Sequence, residues 1–267
     1  MSIDAYLERI GHHGPVTPTA ATLRALHAAH QQAVPFENLD VALGRPVSLA
    51  TADLLDKVVA RRRGGFCYEL NGLFAWLLGE LGFAVDLLSA RVRGERGLGP
   101  EFDHMALAVT VEGRTLLADV GFGDSFREPL RLAPGITVAQ GAWRYSLAPA
   151  PGGDELVLAR ERDGQPVEAQ YHVSAEPHGL DAFAPMCDFH QQSPLSPFTQ
   201  RVICSRATAD GRVTLAGRRL IETAGARRQE AVIADVEDLG CTLAGRFGVT
   251  LATPDIARLW ERTAPTA

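Results

Sequence analysis

Three side chains in the first half of the chain have the types and surroundings that nucleophilic chemistry needs: Cys67, His104 and Asp119. Cys67 lies in the run RGGFCYELN at 63–71, where Gly64 and Gly65 let the backbone turn tightly. The residues Leu70, Leu73, Phe74, Leu77 and Leu78 then recur at helical spacing, so the cysteine is expected at or just before a helix start. Free backbone N–H groups at that end favour an anion. They are expected to lower the thiol pKa from its usual value of about 8.5 and make a thiolate available near neutrality. Taken alone, Cys67 would read as a buried, inert cysteine.

His104 opens the run HMALAVTV. Strand alternation puts His104, Ala106, Ala108 and Thr110 on one face and Met105, Leu107, Val109 and Val111 on the other. If Glu112 and Gly113 make a two-residue hairpin turn, Val111 pairs with Arg114 and Ala106 with Asp119. His104 then lies diagonally across the ladder from Asp119, on the same face. A three-residue turn would change this parity. In the two-residue register, His104 takes the thiol proton and supports the thiolate as imidazolium, while Asp119 fixes the ring's orientation and tautomer. The cysteine can then attack a thioester carbonyl, and the acyl group it holds stays reactive toward a nitrogen nucleophile.

The segments flanking these residues have two readings each. VGFGDS at 120–125 allows a tight loop at Gly121 and Gly123, with Phe122 either pressing on an apolar substrate or plugging the core. Its spacing is not that of a dinucleotide fingerprint. Phe36 and Phe66 carry the same two readings. Glu37 and Arg63 could form an ion pair tying the loop VPFENLD at 34–40 to the cysteine loop.

The elements that must position these groups fall into three units. Residues 1–84 read as a helical bundle, with Thr17 or Thr19 capping one helix and Ser48 or Thr51 another. Residues 85–185 carry short alternating runs from FAVDLLSARV to VEAQYHV and read as a curled antiparallel sheet or small barrel. Pro177, Pro185, Pro194 and Pro197 make 175–200 read as a long connection, its core at 186–200, leading to a smaller unit of strands and helices at 201–267. LAGR at 215–218 and again at 243–246 does not establish a repeat.

Composition narrows the possible functions. The 267 residues, 46% hydrophobic and 22% charged, predict a folded chain with two or three packed units. A formal charge of -6 argues against nucleic acid or an anionic membrane as partner, and Arg61, Arg62 and Arg63 read first as a solvated face. No stretch is apolar enough to span a bilayer, and the acidic start MSIDAYLERIG lacks the form of a signal peptide, so a cytoplasmic location is expected. Cys67, Cys187, Cys204 and Cys241 lack paired short spacings, which indicates neither a disulfide framework nor structural zinc. Cys187 and His190 are three apart, a weak metal signal, and no metal is expected.

RGGFCYELNGLF at 63–74, DHMALAV at 103–109 and DVGFG at 119–123, preceded by VPFENLD, resemble the arylamine N-acetyltransferase family in wording, order and separation. SPLSPF at 193–198 and LAGR at 215–218 resemble its later segments. The resemblance implies an α+β fold with an N-terminal helical bundle, a central antiparallel β-barrel, a C-terminal α/β lid and a papain-like Cys-His-Asp core. It implies Cys67 as nucleophile, His104 as base and Asp119 as orienting carboxylate. By the same resemblance Phe36 and Phe122 fall on motif residues expected near the acceptor pocket, and Glu37 and Arg63 on expected structural partners. The implied reaction is ping-pong: acetyl-CoA acetylates the cysteine, CoA leaves, and an arylamine, arylhydrazine or arylhydroxylamine takes the acetyl group. Family enzymes that close macrolactams from carrier-bound acyl chains share the same cysteine motifs. Ala118 stands where the family more usually has a bulkier aliphatic residue. No residue is assigned to CoA, although Arg61, Arg62 or a lid arginine could meet its phosphates.

Overall fold

The computed structural model describes residues 2–263. The N-terminal part holds α1 (Ile3–Ile10), α2 (Ala20–Ala33), β1 (Phe36–Glu37), α3 (Leu39–Ala42), α4 (Thr51–Leu55), a π-helical turn at 56–60 and α5 (Cys67–Glu80). Thr19, rather than Thr17, caps α2, its hydroxyl accepting from the Thr22 amide at 3.1 Å. Neither Ser48 nor Thr51 caps α4. Ala50 occupies that position, and the Ser48 hydroxyl donates instead to the Asp53 carboxylate at 2.6 Å. Helix α5 is the centre of the bundle: Leu70, Leu73, Phe74, Leu77 and Leu78 are all fully buried, which is why its apolar residues extend beyond a single stripe.

The middle of the chain forms β2 (Ala84–Gly94), β3 (Gly97–Leu98), β4 (His104–Val111), β5 (Arg114–Ala118), β6 (Leu130–Arg131), β7 (Ile136–Gln140), β8 (Trp143–Pro149), β9 (Glu155–Glu161) and β10 (Glu168–His178). These pair antiparallel in the order β6-β5-β4-β2-β10-β9-β8-β7, with β3 on β2, and curl into a nearly closed barrel. The expected register holds: Val111 pairs with Arg114. Glu112 and Gly113 form the turn between them with φ of 52° and 70°, the left-handed pair a two-residue hairpin requires. Parity then sends Met105, Leu107, Val109 and Val111 toward the helices and Ala106 and Ala108 into the barrel interior, beside Tyr171, Leu158 and Phe126.

The proline-rich segment read as a connection is mostly ordered structure. Strand β10 runs to His178, with a register shift between Val173 and Pro177, and α6 (Ala184–Gln192) and α7 (Pro197–Gln200) follow. Pro185 and Pro197 each sit in the first turn of a helix, where a missing N–H removes no intrahelical bond. The remainder comprises β11 (Ile203–Ala207), β12 (Gly211–Ala216), β13 (Arg219–Ala224), β14 (Arg227–Val232), α8 (Val236–Phe247) and α9 (Thr253–Arg262). Its sheet runs β1-β11-β12-β13-β14, so the N-terminal part lends it an edge strand, Phe36 opposite Ser205 and Glu37 opposite Cys204. The same β1 bridges to the cysteine loop, the Glu37 amide donating to Gly65 O at 2.8 Å. Among the described residues, no helix is long and apolar enough to cross a membrane.

Candidate active site

Cys67 is the first residue of α5, 1% exposed, and follows Phe66, whose extended backbone ends the loop. Glu69 secures that end by accepting the Phe66 amide at 3.1 Å. The thiol meets the backbone amide of Met105, the residue after His104. Gly121 closes the space on the other side: a Cβ there would lie 2.8 Å from Cys67 Cα and 2.8 Å from Asn71 Nδ2. The start of α5, the start of β4 and the loop after β5 therefore converge on one point.

His104 and Asp119, exposed 2% and 1%, are joined by a 2.7 Å bond between Nε2 and Oδ2. A carboxylate accepts, so Nε2 carries the proton and Nδ1 is left as the basic nitrogen. The second carboxylate oxygen of Asp119 accepts from Asn71 Nδ2 and from the Gly121 amide, both at 2.9 Å. Asn71 lies four residues after Cys67, one turn along the same helix face. Its Nδ2 also donates to Met105 O at 2.6 Å and its Oδ1 accepts the Val120 amide at 2.9 Å. One side chain on the helix of Cys67 thus fixes both the strand that carries His104 and the loop that carries Asp119. Sequence reasoning assigned Asn71 no role, although a polar residue one turn from Cys67 inside an apolar helix was a usable signal.

Helix α2 holds the Asp119 backbone from behind. His27 Nε2 accepts the Asp119 amide at 3.0 Å, which fixes the tautomer, and Nδ1–H donates to Arg127 O at 2.8 Å. Gln31 Nε2 donates to Asp119 O at 3.0 Å and Phe126 O at 2.9 Å. Burial pushes the His27 imidazolium down to about 4, so the ring stays neutral at physiological pH, as an acceptor must.

Aromatic rings surround the pair. Phe122 stands edge-on to His104 with centroids 5.3 Å apart, and Tyr171 lies 5.3 Å from each. Phe36 packs on Phe198 at 5.9 Å and under Gly123. Phe66 is fully buried between Tyr68 and Phe198, a core role. Phe36, Asp119, Phe122, Gly123, Ser205 and Arg212 enclose a cavity of about 10 Å³, scarcely enough for one water. The lid sheet roofs it: Ser205 Oγ donates to Gly123 O at 3.1 Å, and Arg212 also donates to Gly123 O and pairs with Asp124 at 3.0 Å, while Arg160 from β9 of the barrel pairs with Asp124 at 3.0 Å.

Residues 19–256, which include all three groups, match a family model described as N-acetyltransferase. The arylamine N-acetyltransferase of Mycolicibacterium smegmatis is 36% identical over 94% of this chain and 93% of its own length. The chain belongs to the arylamine N-acetyltransferase family. A pineal gland isozyme from Gallus gallus is 31% identical, with 94% and 95% covered. Among solved structures, the Mycobacterium marinum arylamine N-acetyltransferase in complex with CoA superposes with a TM-score of 0.90 at 34% identity, covering 98% of each chain. The Nocardia farcinica arylamine N-acetyltransferase gives 0.89 at 37% identity, covering 100% of this chain and 94% of that one.

In this arylamine N-acetyltransferase relative, charge is concentrated behind the site rather than in it. Glu37 and Arg63 form the expected pair, at 2.7 Å, and belong to a larger buried cluster. Arg63 also reaches Asp40 at 3.2 Å, and Lys57 lies 2.7 Å from both Asp40 and Glu69. Glu37 Oε2 accepts the Leu39 amide at 2.7 Å. The cluster ties β1, α3, the π turn and the cysteine loop together. Burial opposes the charge on Lys57, but Glu69, Glu37 and Asp40 hold its pKa above the ordinary ammonium value. The arginine run therefore divides: Arg61 is exposed and paired with Asp56 at 2.7 Å, whereas Arg63 is interior.

Within the site, burial works against the Asp119 carboxylate, yet His104, Asn71 and the Gly121 amide keep its pKa below the usual carboxylate range. Cys67 goes the other way from the helix-start expectation. Burial pushes its thiol well up, only the Met105 amide opposing, and the Asp119 and Asp103 charges add to the rise. Among the described residues, no group of three or more His, Cys, Asp or Glu could hold a metal ion.

Proposed function

We propose that this protein transfers an acetyl group from acetyl-CoA to the nitrogen of an arylamine, arylhydrazine or arylhydroxylamine, with Cys67 carrying the acetyl group between two half-reactions. The observation that carries the reading is the 2.7 Å His104–Asp119 bond, held by Asn71 from the helix that Cys67 begins. His104 Nδ1 takes the thiol proton, the thiolate forms beside the resulting imidazolium, and Asp119 stabilises that cation. Acetyl-CoA supplies a thioester carbonyl for the sulfur to attack, and the leaving CoA sulfur recovers the proton from His104. In the second half, His104 removes the proton that develops on the attacking nitrogen.

The buried sulfur, with a backbone amide at hand, and the aromatic rings around His104 fit an acetyl group and a flat acceptor. An arylamine is largely unprotonated near pH 7, so it can enter an apolar pocket that would exclude an alkylammonium ion. Phe36 and Phe122 form that pocket's wall, and Glu37 and Arg63 hold the cysteine loop. The reading includes a cytoplasmic location and a division at 84, 185 and 200 into bundle, barrel, connection and lid.

Intact mass spectrometry tests it. Acetyl-CoA alone should add one acetyl mass, Cys67→Ser should abolish the addition, and aniline-like or hydrazine acceptors should discharge it. A folded preparation that gains no adduct, or loses it to water as fast as to an amine, would sink the proposal.

A further inference from the structure

His190 satisfies both ring nitrogens inside the protein, away from the reacting groups. Its Nδ1 meets Ser196 Oγ at 3.0 Å and its Nε2 meets Asp103 Oδ1 at 3.1 Å, with the ring 2% exposed. These bonds account for His190 without a metal, and the neighbouring Cys187 sulfur accepts from Gln191 Nε2 at 3.3 Å. The Ser-His-Asp order resembles a hydrolytic triad, but Ser196 is fully buried and its Oγ also accepts the Phe198 amide at 3.2 Å and donates to His190 O at 3.1 Å. No substrate reaches that hydroxyl, so the chain of bonds has a different use.

Its position in the fold indicates that use. Asp103 directly precedes His104, and its Oδ2 accepts the Val92 amide at 3.3 Å. Tyr68 directly follows Cys67, and its hydroxyl donates to Phe102 O at 2.7 Å and Asp103 O at 3.3 Å. The His190 ring lies 6.1 Å from the Tyr68 ring and 5.0 Å from Phe198, which itself packs on Phe66 at 5.7 Å. The residue after the nucleophile and the residue before the base are therefore held at one junction, and α6 and α7 supply the pin.

We propose that His190, anchored by Ser196, is a positioning residue that sets the separation of Cys67 from His104 through Asp103 and the Tyr68 hydroxyl. Without the pin, Asp103 keeps only its strand contacts, the 102–103 backbone shifts away from Tyr68, and the imidazole no longer faces the sulfur. This rests on the Cys67–His104 reading of the site.

The test measures the pH dependence of Cys67 alkylation by iodoacetamide, which needs no acetyl-CoA, alongside single-turnover acetylation and thermal unfolding of the full chain. His190→Leu should slow alkylation at pH 7 about 10- to 100-fold and move its midpoint upward, because a displacement near 1 Å has effects of that order. His190→Gln keeps a donor toward Asp103 and should recover most of the rate. Ser196→Ala, which frees the ring at one end, should fall about threefold or more and serves if the leucine variant does not fold. Wild-type profiles in His190→Leu or Ser196→Ala, or a glutamine variant as slow as leucine, overturn the proposal. A wild-type protein whose own cysteine alkylates as an ordinary thiol instead overturns the site reading beneath it.

Discussion

Replacing Arg63 with Met keeps the aliphatic stem but removes the guanidinium that contacts Glu37 at 2.7 Å and Asp40 at 3.2 Å. The cluster then has Lys57, and the partly exposed Arg45 at 3.8 Å from Asp40, against Glu37, Asp40 and Glu69, three buried carboxylates. Glu37 retains the Leu39 and Gly64 amides, at 2.7 and 3.3 Å, which are too few to stabilise a buried charge. Loss of one partner from a buried pair costs about 3–5 kcal/mol, a large part of the roughly 5–15 kcal/mol that holds a typical protein folded. For a chain of this size each kcal/mol moves Tm by about 2–4 °C, so a fall on the order of 10 °C is expected in calorimetry. Arg63→Met combined with Glu37→Gln should recover much of the loss, since it removes the orphaned charge and its one amide oxygen still accepts the closer Leu39 amide, giving up only the longer contact to Gly64. A single variant that loses less than about 1 kcal/mol, or a double variant that falls by the sum of the singles, would refute the view that this cluster is a coupled structural unit.

Gly121→Ala should reduce acetylation at least tenfold with a smaller change in stability, because the new Cβ meets Cys67 Cα and Asn71 Nδ2 at 2.8 Å and must displace the site itself; an active Gly121→Ala enzyme would show that the approach is not tight. His27 falls from 6.5 in an unfolded chain to about 4 here, so the unfolded state binds more protons between those values and stability drops as pH falls through that window. The loss should be complete near pH 4 and on the order of 3 kcal/mol. Tm measured from pH 8 to 4 should decline less steeply in His27→Gln than in the wild type, and equal slopes would refute the assignment.

Much of the site was legible because its determinants are local. The apolar spacing after Cys67 marks a helix start whatever the tertiary structure, and Glu112-Gly113 fixes the hairpin register, which alone decides whether His104 and Asp119 share a face. The undetected residues act across long separations. His27 meets Asp119 ninety-two positions away and leaves no local pattern, while Asn71 meets Met105 thirty-four away and its one local sign is a polar side chain one turn from Cys67. Lys57 carries no local sign of its buried role because its partners Asp40 and Glu69 belong to other elements. Pro185 and Pro197 looked like breaks because a proline in a first turn and a proline in a loop are indistinguishable without the helix that follows.

The activation of Cys67 is where the structure changes the physical account most. Helix-start amides favour an anion, but their benefit is limited to the first turn and is worth about 1 kcal/mol or less at an exposed site. Here the sulfur is buried and the Asp119 and Asp103 charges lie close enough to raise its pKa further. An isolated thiolate is therefore disfavoured, and the anion must form as half of an ion pair, its proton carried on His104 while Asp119 balances the cation. His104→Gln preserves a hydrogen bond to Asp119 but cannot hold that proton. Its thiol should titrate above the ordinary value of about 8.5, and thiolate absorbance near pH 7, expected in the wild type, should vanish. A glutamine variant that kept its thiolate at neutral pH would show that the helix start is sufficient by itself and that the imidazolium is not what makes the sulfur reactive.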